Sequence, residues 1–246
     1  MRYGIMSDIH SNLEAFNACL ERIGQVDAYV SPGDIVGYGA SPNECCEIIS
    51  RLAPTTVVGN HDAAVLGNLD LSWFNPSARA AAVCTSQILS DTARLYLSQL
   101  QLDLSKSEWS LVHGSLDDPG SFKYITSPWT AKPTFEAMPV GITVCFIGHT
   151  HIAEYYAKQS GIEGVDRISM RNGGKIALRD GFSYIINCGS IGQPRDGNPL
   201  AGCGIYDSAS GIIEFFRVPY DIAETQRKIR DAGLPASLAD RLALGI

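Results

Sequence analysis

A set of short apolar runs, each broken off by polar residues and most of them beside a glycine, constrains this chain more than any other feature. GIM leads to Ser7-Asp8-Ile9-His10, AYV to Pro32-Gly33-Asp34, and TVV to Gly59-Asn60-His61-Asp62. SLV leads to His113-Gly114, and CFI to Gly148-His149-Thr150-His151. Runs of this length and composition read as buried strands. Between the first of them the spacing turns helical. Leu13, Phe16, Leu20 and Ile23 recur up to a stop at Gly24, and Cys45, Ile48, Ile49 and Leu52 follow a Ser41–Glu44 capping box with Pro42 at the first helical position. Strands alternating with helices predict an α/β fold.

In α/β sheets the loops at the carboxyl ends of parallel strands share one rim, and ligands bind there. The five strand ends would therefore bring Asp8, His10, Asp34, Asn60, His61, His113, His149 and His151 into one cleft. All five histidines of the chain fall at such ends. Taken singly, each residue has an ordinary reading: Asp8 as a helix cap, Asp34 as a turn residue, Asn60 in a left-handed turn, His113 as a hydrogen-bonded core histidine. His149 and His151 flank one threonine and on a strand would share a face. Only the coincidence of the five sites favours a ligand cluster, and Asp62 keeps its reading as a helix cap.

Elsewhere the segment from Asn75 to about Leu102 predicts two helices, restarted at Ser90-Asp91-Thr92. Residues 116–141 are rich in Pro, Gly and aromatics and read as a long excursion over one edge of the sheet, with a short helix near Thr134–Met138. After His151 the runs IAEYYAK, KIALRD, FSYIIN, GCGIYD and GIIEFFRV suggest antiparallel strands, followed by helical patterns in YDIAETQRKIRDAG and LADRLAL. Nothing resembles a linker, so residues 1–246 are expected to form a single domain.

Composition narrows the partner. Against 26 acidic side chains stand 19 basic ones, a net charge of −7, which argues against a nucleic-acid footprint; the partner expected is a small molecule. No stretch reaches the roughly 18 apolar residues of a membrane span, and the N-terminal apolar run is too short for a signal peptide. Seven cysteines without a CxxC pair fit buried free thiols in a reducing cytoplasm.

Seven candidate ligands (Asp8, His10, Asp34, Asn60, His113, His149 and His151) exceed what one tetrahedral structural zinc uses. Imidazoles mixed with carboxylates and an amide suit two divalent ions, manganese foremost, with iron, zinc or nickel as other fits. Two ions sharing a carboxylate is the economical arrangement.

DIH, GD, GNHD, the isolated His113 and GHTH occur in the order and approximate spacing found in calcineurin-like metallophosphoesterases, which the chain resembles from Asp8 to His151. GDIVGYG and NCGSIGQPRDG are similar to the small bacterial and archaeal branch of that family. The resemblance implies a four-layer αββα sandwich of two mixed sheets, with the C-terminal strands in the second sheet and a dinuclear metal site at the strands' carboxyl ends. It implies that Asp8, His10 and His151 hold the first ion, that Asp34 bridges both, and that Asn60, His113 and His149 hold the second. It also implies phosphate-ester hydrolysis by a metal-bridging hydroxide, with His61 as general acid on the leaving-group side.

The protein Ser/Thr phosphatases of that family continue GD as GDxVDRG. Here Gly37 and Tyr38 occupy the last Asp and Arg positions. The departure points away from protein phosphatase activity and toward phosphodiesters. Phosphomonoesters, dinucleoside polyphosphates and a non-catalytic scaffold on the same fold are the alternatives. Arg195, in SIGQPRDG, is the candidate to supply the missing substrate-binding guanidinium.

Overall fold

The computed structural model describes residues 1–52 and 54–246. Two mixed sheets of six strands each lie face to face. The first contains β1 (Arg2–Ile5), β2 (Ala28–Ser31), β3 (Thr55–Thr56), β9 (Gly174–Ala177), β11 (Ala201–Asp207) and β12 (Ile212–Val218), in the order β3-β2-β1-β11-β12-β9. The second contains β4 (Asp103–Ser105), β5 (Ser110–Val112), β6 (Val144–Ile147), β7 (Ala153–Gln159), β8 (Val165–Ser169) and β10 (Phe182–Cys188), in the order β4-β5-β6-β10-β7-β8. β1, β2 and β3 run parallel, as do β5, β6 and β10.

The period-two alternation of strand side chains sorts the core into layers. Tyr3 and Ile5 of β1, Val144 and Phe146 of β6, and Tyr184 and Ile186 of β10 meet in the core between the sheets. The opposite face of the first sheet, with Met6 and Ile205, packs on α1 (Leu13–Ile23) and α2 (Pro42–Leu52) through Phe16, Cys19, Cys45 and Ile49. The outer face of the second sheet packs Cys145, Ile147 and Ile185 against Ala131 and Phe135 of α6 (Pro128–Ala137). Layer by layer this is helix, sheet, sheet, helix. Between these lie α3 (Asn60–Val65), α4 (Pro76–Ile88) and α5 (Asp91–Ser98), and the chain closes on α7 (Ile222–Asp231) and α8 (Ala236–Asp240).

Several expectations need correction. The C-terminal strands do not all enter the second sheet: β9, β11 and β12 return to the first, where β11 pairs antiparallel with β1. The run TVV, expected as a strand, gives only Thr56 to β3 (Thr55–Thr56), and Val57 makes only an isolated bridge to Gln101. The short helix placed near Thr134–Met138 starts at Pro128 instead, because the Ser127 hydroxyl accepts the Thr130 N–H at 3.2 Å and caps it. That helix covers a sheet face, not an edge. His149 and His151 are not on a strand, since β6 ends at Ile147.

Among the described residues no helix is long and apolar enough to cross a membrane. All seven cysteines are free thiols, six of them buried.

Candidate metal centre

The loops after β1 and β2 hold each other in place beyond the strands themselves. Asp8 N–H donates to Gly33 O, His10 N–H to Asp34 O and Ser11 N–H to Ile35 O, all at 2.9–3.0 Å. The turn after β6 reaches across from the second sheet, and the His149 N–H donates to Asp8 Oδ1 at 3.0 Å. Asn187, on β10, fixes that turn by donating to Gly148 O at 2.8 Å and Thr150 Oγ1 at 3.0 Å. Carboxyl ends from both sheets thereby converge on one cleft.

The backbone is strained there. Asp8, His10, Ser11, Asp34, Tyr38, Phe122, His149 and His151 are the non-glycine residues with positive φ among those described, and all lie at or beside the cleft. Left-handed backbone costs a non-glycine residue about 1–2 kcal/mol, and such strain concentrates where a site demands it. At Gly59 the demand is steric: a Cβ there would overlap Asp34 Oδ1, and the Asp34 carboxylate takes that space to accept the His61 N–H at 2.8 Å.

The eight residues singled out in the sequence come together, and seven of them form two adjoining groups. Asp8, His10, Asp34 and His151 present donor atoms within 4.8 Å of one another, and Asp34, His113 and His149 do the same. Asn60 joins the second group, its Oδ1 lying 3.1 Å from His113 Nε2. Asp34 is the carboxylate common to both. The eighth, His61, belongs to neither group. Its ring packs edge-on against His10 and Phe74 at 4.9 and 4.8 Å and lies 4.3 Å from the Tyr38 ring.

The orientation of the imidazoles tests whether cations fit. The Nδ1 atoms of His10, His113 and His151 lie 3.0, 2.8 and 2.6 Å from the carbonyls of Val36, Pro32 and Gln193. A carbonyl only accepts, so each Nδ1 carries the hydrogen, and a ring that is neutral then turns an Nε2 lone pair inward, as at His10 and His151. Carbonyl-anchored histidines of this kind are what metal sites use to orient their ligands. His10 Nε2 and His151 Nε2 therefore face each other as acceptors at 3.0 Å, while His113 Nε2 points at Asn60 Oδ1 and Asp34 Oδ2, 3.1 and 3.3 Å away. Asp34 Oδ2 is buried between the two groups, 3.5 Å from His10 Nε2 and 3.3 Å from His113 Nε2. Acceptors confronting acceptors in a dry site call for cations between them, and this donor set suits borderline divalent ions.

The electrostatics separate His113 from the other three ligand histidines. Burial pushes His10, His149 and His151 below the ordinary imidazole range, which keeps them neutral. Burial pushes His113 down too, but the Asp34 carboxylate outweighs it and brings the group up to about 9. Burial opposes ionisation of Asp8 and Asp34, yet the neighbouring imidazoles, His151 for Asp8 and His113 for Asp34, hold both carboxylates low. Burial, reinforced by Arg195 and opposed by Asp34, takes His61 down to about 4.

Asp62 sits where the cap reading put it, accepting the Gly59 N–H at 3.1 Å ahead of α3. Its other oxygen accepts the Ile35 and Val36 N–H groups at 2.9 and 3.1 Å, so it also ties α3 to the loop after Asp34. Arg195 comes to the cleft from the loop after β10. Its guanidinium donates to Tyr38 Oη at 3.0 Å and to Gln193 Oε1 at 2.9 Å. A cation thus stands beside the Tyr38 position from another part of the chain. The sequence reading missed Asn187, the carbonyls that orient the histidines, and an aromatic wall of Trp73, Phe74 and Tyr124. Asn187, Pro32, Val36 and Gln193 lay inside stretches already noted, but nothing in their residue types marked them for these roles.

The profile of the calcineurin-like phosphoesterase superfamily domain matches residues 1–211. An uncharacterised protein of Methanocaldococcus jannaschii is 36% identical over 247 residues, covering 98% of this chain and 97% of its own. The crystal structure of a metallophosphoesterase from Sphaerobacter thermophilus is similar with a TM-score of 0.90 at 41% identity, over 100% of this chain and 99% of that one. A hypothetical protein from Pyrococcus horikoshii shares the fold at 20% identity, with a TM-score of 0.77 over 100% of this chain and 98% of its own. The strand order, the buried Asp/His cluster that can hold divalent metals and these likenesses agree: the chain belongs to the calcineurin-like phosphoesterase superfamily.

Proposed function

We propose that this chain, acting as one domain in the cytoplasm, hydrolyses phosphodiesters at two divalent metal ions, with manganese the best fit. The observation that carries the proposal is the pair of ligand groups sharing Asp34, with imidazole lone pairs turned on one another. Asp8, His10 and His151 would hold one ion, Asn60, His113 and His149 the other, and Asp34 both. Bound dications supply charge that neutralises the phosphoryl oxygens and a water acidified into a nucleophile near neutral pH.

The chain's own side chains supply the rest. Arg195 binds a non-bridging phosphoryl oxygen, its direction set by Tyr38 Oη and Gln193 Oε1. His61 donates a proton to the departing alkoxide. In the resting protein burial keeps that ring neutral at pH 7. An entering ester places negative charge beside His61 and offsets Arg195, which favours the imidazolium. With tyrosine at position 38 the arginine of the protein phosphatases is missing and Arg195 stands in its place, a weaker positive complement that suits the one negative charge of a diester better than the two of a monoester. A scaffold role is disfavoured by His61 itself, since a buried imidazole with an unpartnered Nδ1 costs stability and serves no ligand group.

Paired assays of the manganese-loaded protein on a phosphodiester and a phosphomonoester test this reading. Faster diester turnover, abolished by a chelator, is the expected outcome. Equal turnover with and without chelator, or none on either ester, overturns it.

A further inference from the structure

Beside the metal centre lies a cavity of about 140 Å³ whose inner wall includes Asn60, His61 and His149. Its outer wall is aromatic: Trp73, Phe74 and Tyr124 all face it. Phe74 is buried against His61, whereas Trp73 is 68% and Tyr124 51% exposed. Tyr124 is held flat by stacking on His149, ring centroids 3.8 Å apart at 21°. Single exposed apolar side chains are ordinary, but two large, half- to mostly exposed aromatic side chains lining one cavity beside reactive groups offer a stacking surface. Asn75 adds a polar edge: its Oδ1 accepts the Ala78 N–H at the start of α4, which leaves its amide hydrogens for a ligand.

From this geometry we infer that the cavity holds a planar, nucleobase-like ring carried by the ester's leaving group, so that the substrate is a nucleoside-bearing phosphodiester. The inference rests on the phosphate-ester reading above and names its substrate class. The volume is well below the roughly 300 Å³ at which drug-sized ligands are commonly held, so one ring system enters and not two. The net charge of −7 disfavours a long polyanion, which leaves a mononucleotide-sized ester. His61, in the same wall, then lies beside the sugar oxygen that departs.

Equilibrium binding of AMP and of ribose 5-phosphate to the manganese-loaded full chain tests this, in the wild type and in Trp73→Ala and Trp73→Phe variants. Trp73 is exposed in a short turn, so neither substitution removes core packing. The two ligands share the phosphate and sugar and differ in the base. AMP is expected to bind about ten-fold tighter or more, within the range for base–aromatic stacking. Trp73→Ala removes that margin and Trp73→Phe restores most of it. Equal affinities in the wild type, or a margin that survives Trp73→Ala, overturn the ring subsite while leaving the phosphate-ester reading in place. AMP binding without ribose 5-phosphate binding keeps the ring subsite and removes the phosphate-ester reading. Binding of neither overturns both.

Discussion

Gly37 decides where the His61 ring can lie. A Cβ at that position would stand 2.5 Å from His61 Nδ1, and φ there is +94°. The aspartate that protein phosphatases of the family carry at this point has no room, and packing among His10, Tyr38 and Phe74 orients the imidazole instead. His61→Ala should lower kcat by roughly 10²–10⁴ on diesters that expel an alkoxide. The loss should be smaller on a p-nitrophenyl diester, whose phenolate departs without a proton, and metal content should be unchanged by elemental analysis. Full alkoxide turnover in this variant would remove His61 from the mechanism. A second prediction concerns acid. In the folded, metal-free protein His61 titrates at about 4, against about 6.5 for an unfolded histidine. The unfolded chain therefore takes up the proton first as pH falls. Stability is full above pH 6.5 and declines toward pH 4, by about 3 kcal/mol for this one buried group. Denaturant titrations of metal-free wild type and His61→Gln across that window should show a shallower decline in the variant.

At the scale of elements, the loop from β10 to β11 does more for the site than its sequence announces. It carries Arg195, and its Gln193 carbonyl orients His151. Asp196 anchors it by pairing with Arg217 of β12, both side chains 5% exposed, and by accepting the Ala153 N–H at 3.1 Å. Arg217→Met leaves the Asp196 carboxylate buried and unpaired, which should cost about 3–5 kcal/mol in denaturant unfolding. In the protein that remains folded, KM for the ester should rise more than kcat falls, because Arg195 loses its anchor. An unchanged midpoint would show the pair to be dispensable. SIGQPRDG was legible as a glycine-rich loop offering an arginine. The Gln193 carbonyl was not, because a backbone contact leaves no mark on residue type. The α6 helix was half legible for a different reason. Pro133 reads as a break, since an interior proline costs about 3 kcal/mol, yet the helix runs through it with Ala131, Thr134 and Phe135 buried. The start signal, Ser127-Pro128, lay on the near side of that apparent break.

Over the whole molecule, the rim was easier to read than the sheets behind it. Polar residues after apolar runs mark carboxyl ends of strands whichever sheet a strand joins, so Asp8, Asp34, Asn60, His113 and His149 were legible together. Sheet membership was not, because β10 and β11 are both near-continuous buried runs without alternation and only pairing across the chain separates them. Ile5 opposite Gly204 puts β11 in the first sheet, and Tyr184 opposite Val144 puts β10 in the second. Both sheets are proposed to deliver one site for two ions that share Asp34. The most direct test of this arrangement is diester hydrolysis by chelator-stripped protein as manganese is added back, with bound metal counted per chain. Activity is expected to return with the second equivalent, and Asp34→Ala to retain neither ion tightly nor any turnover. Full activity at one equivalent, or activity in the stripped protein, would contradict it.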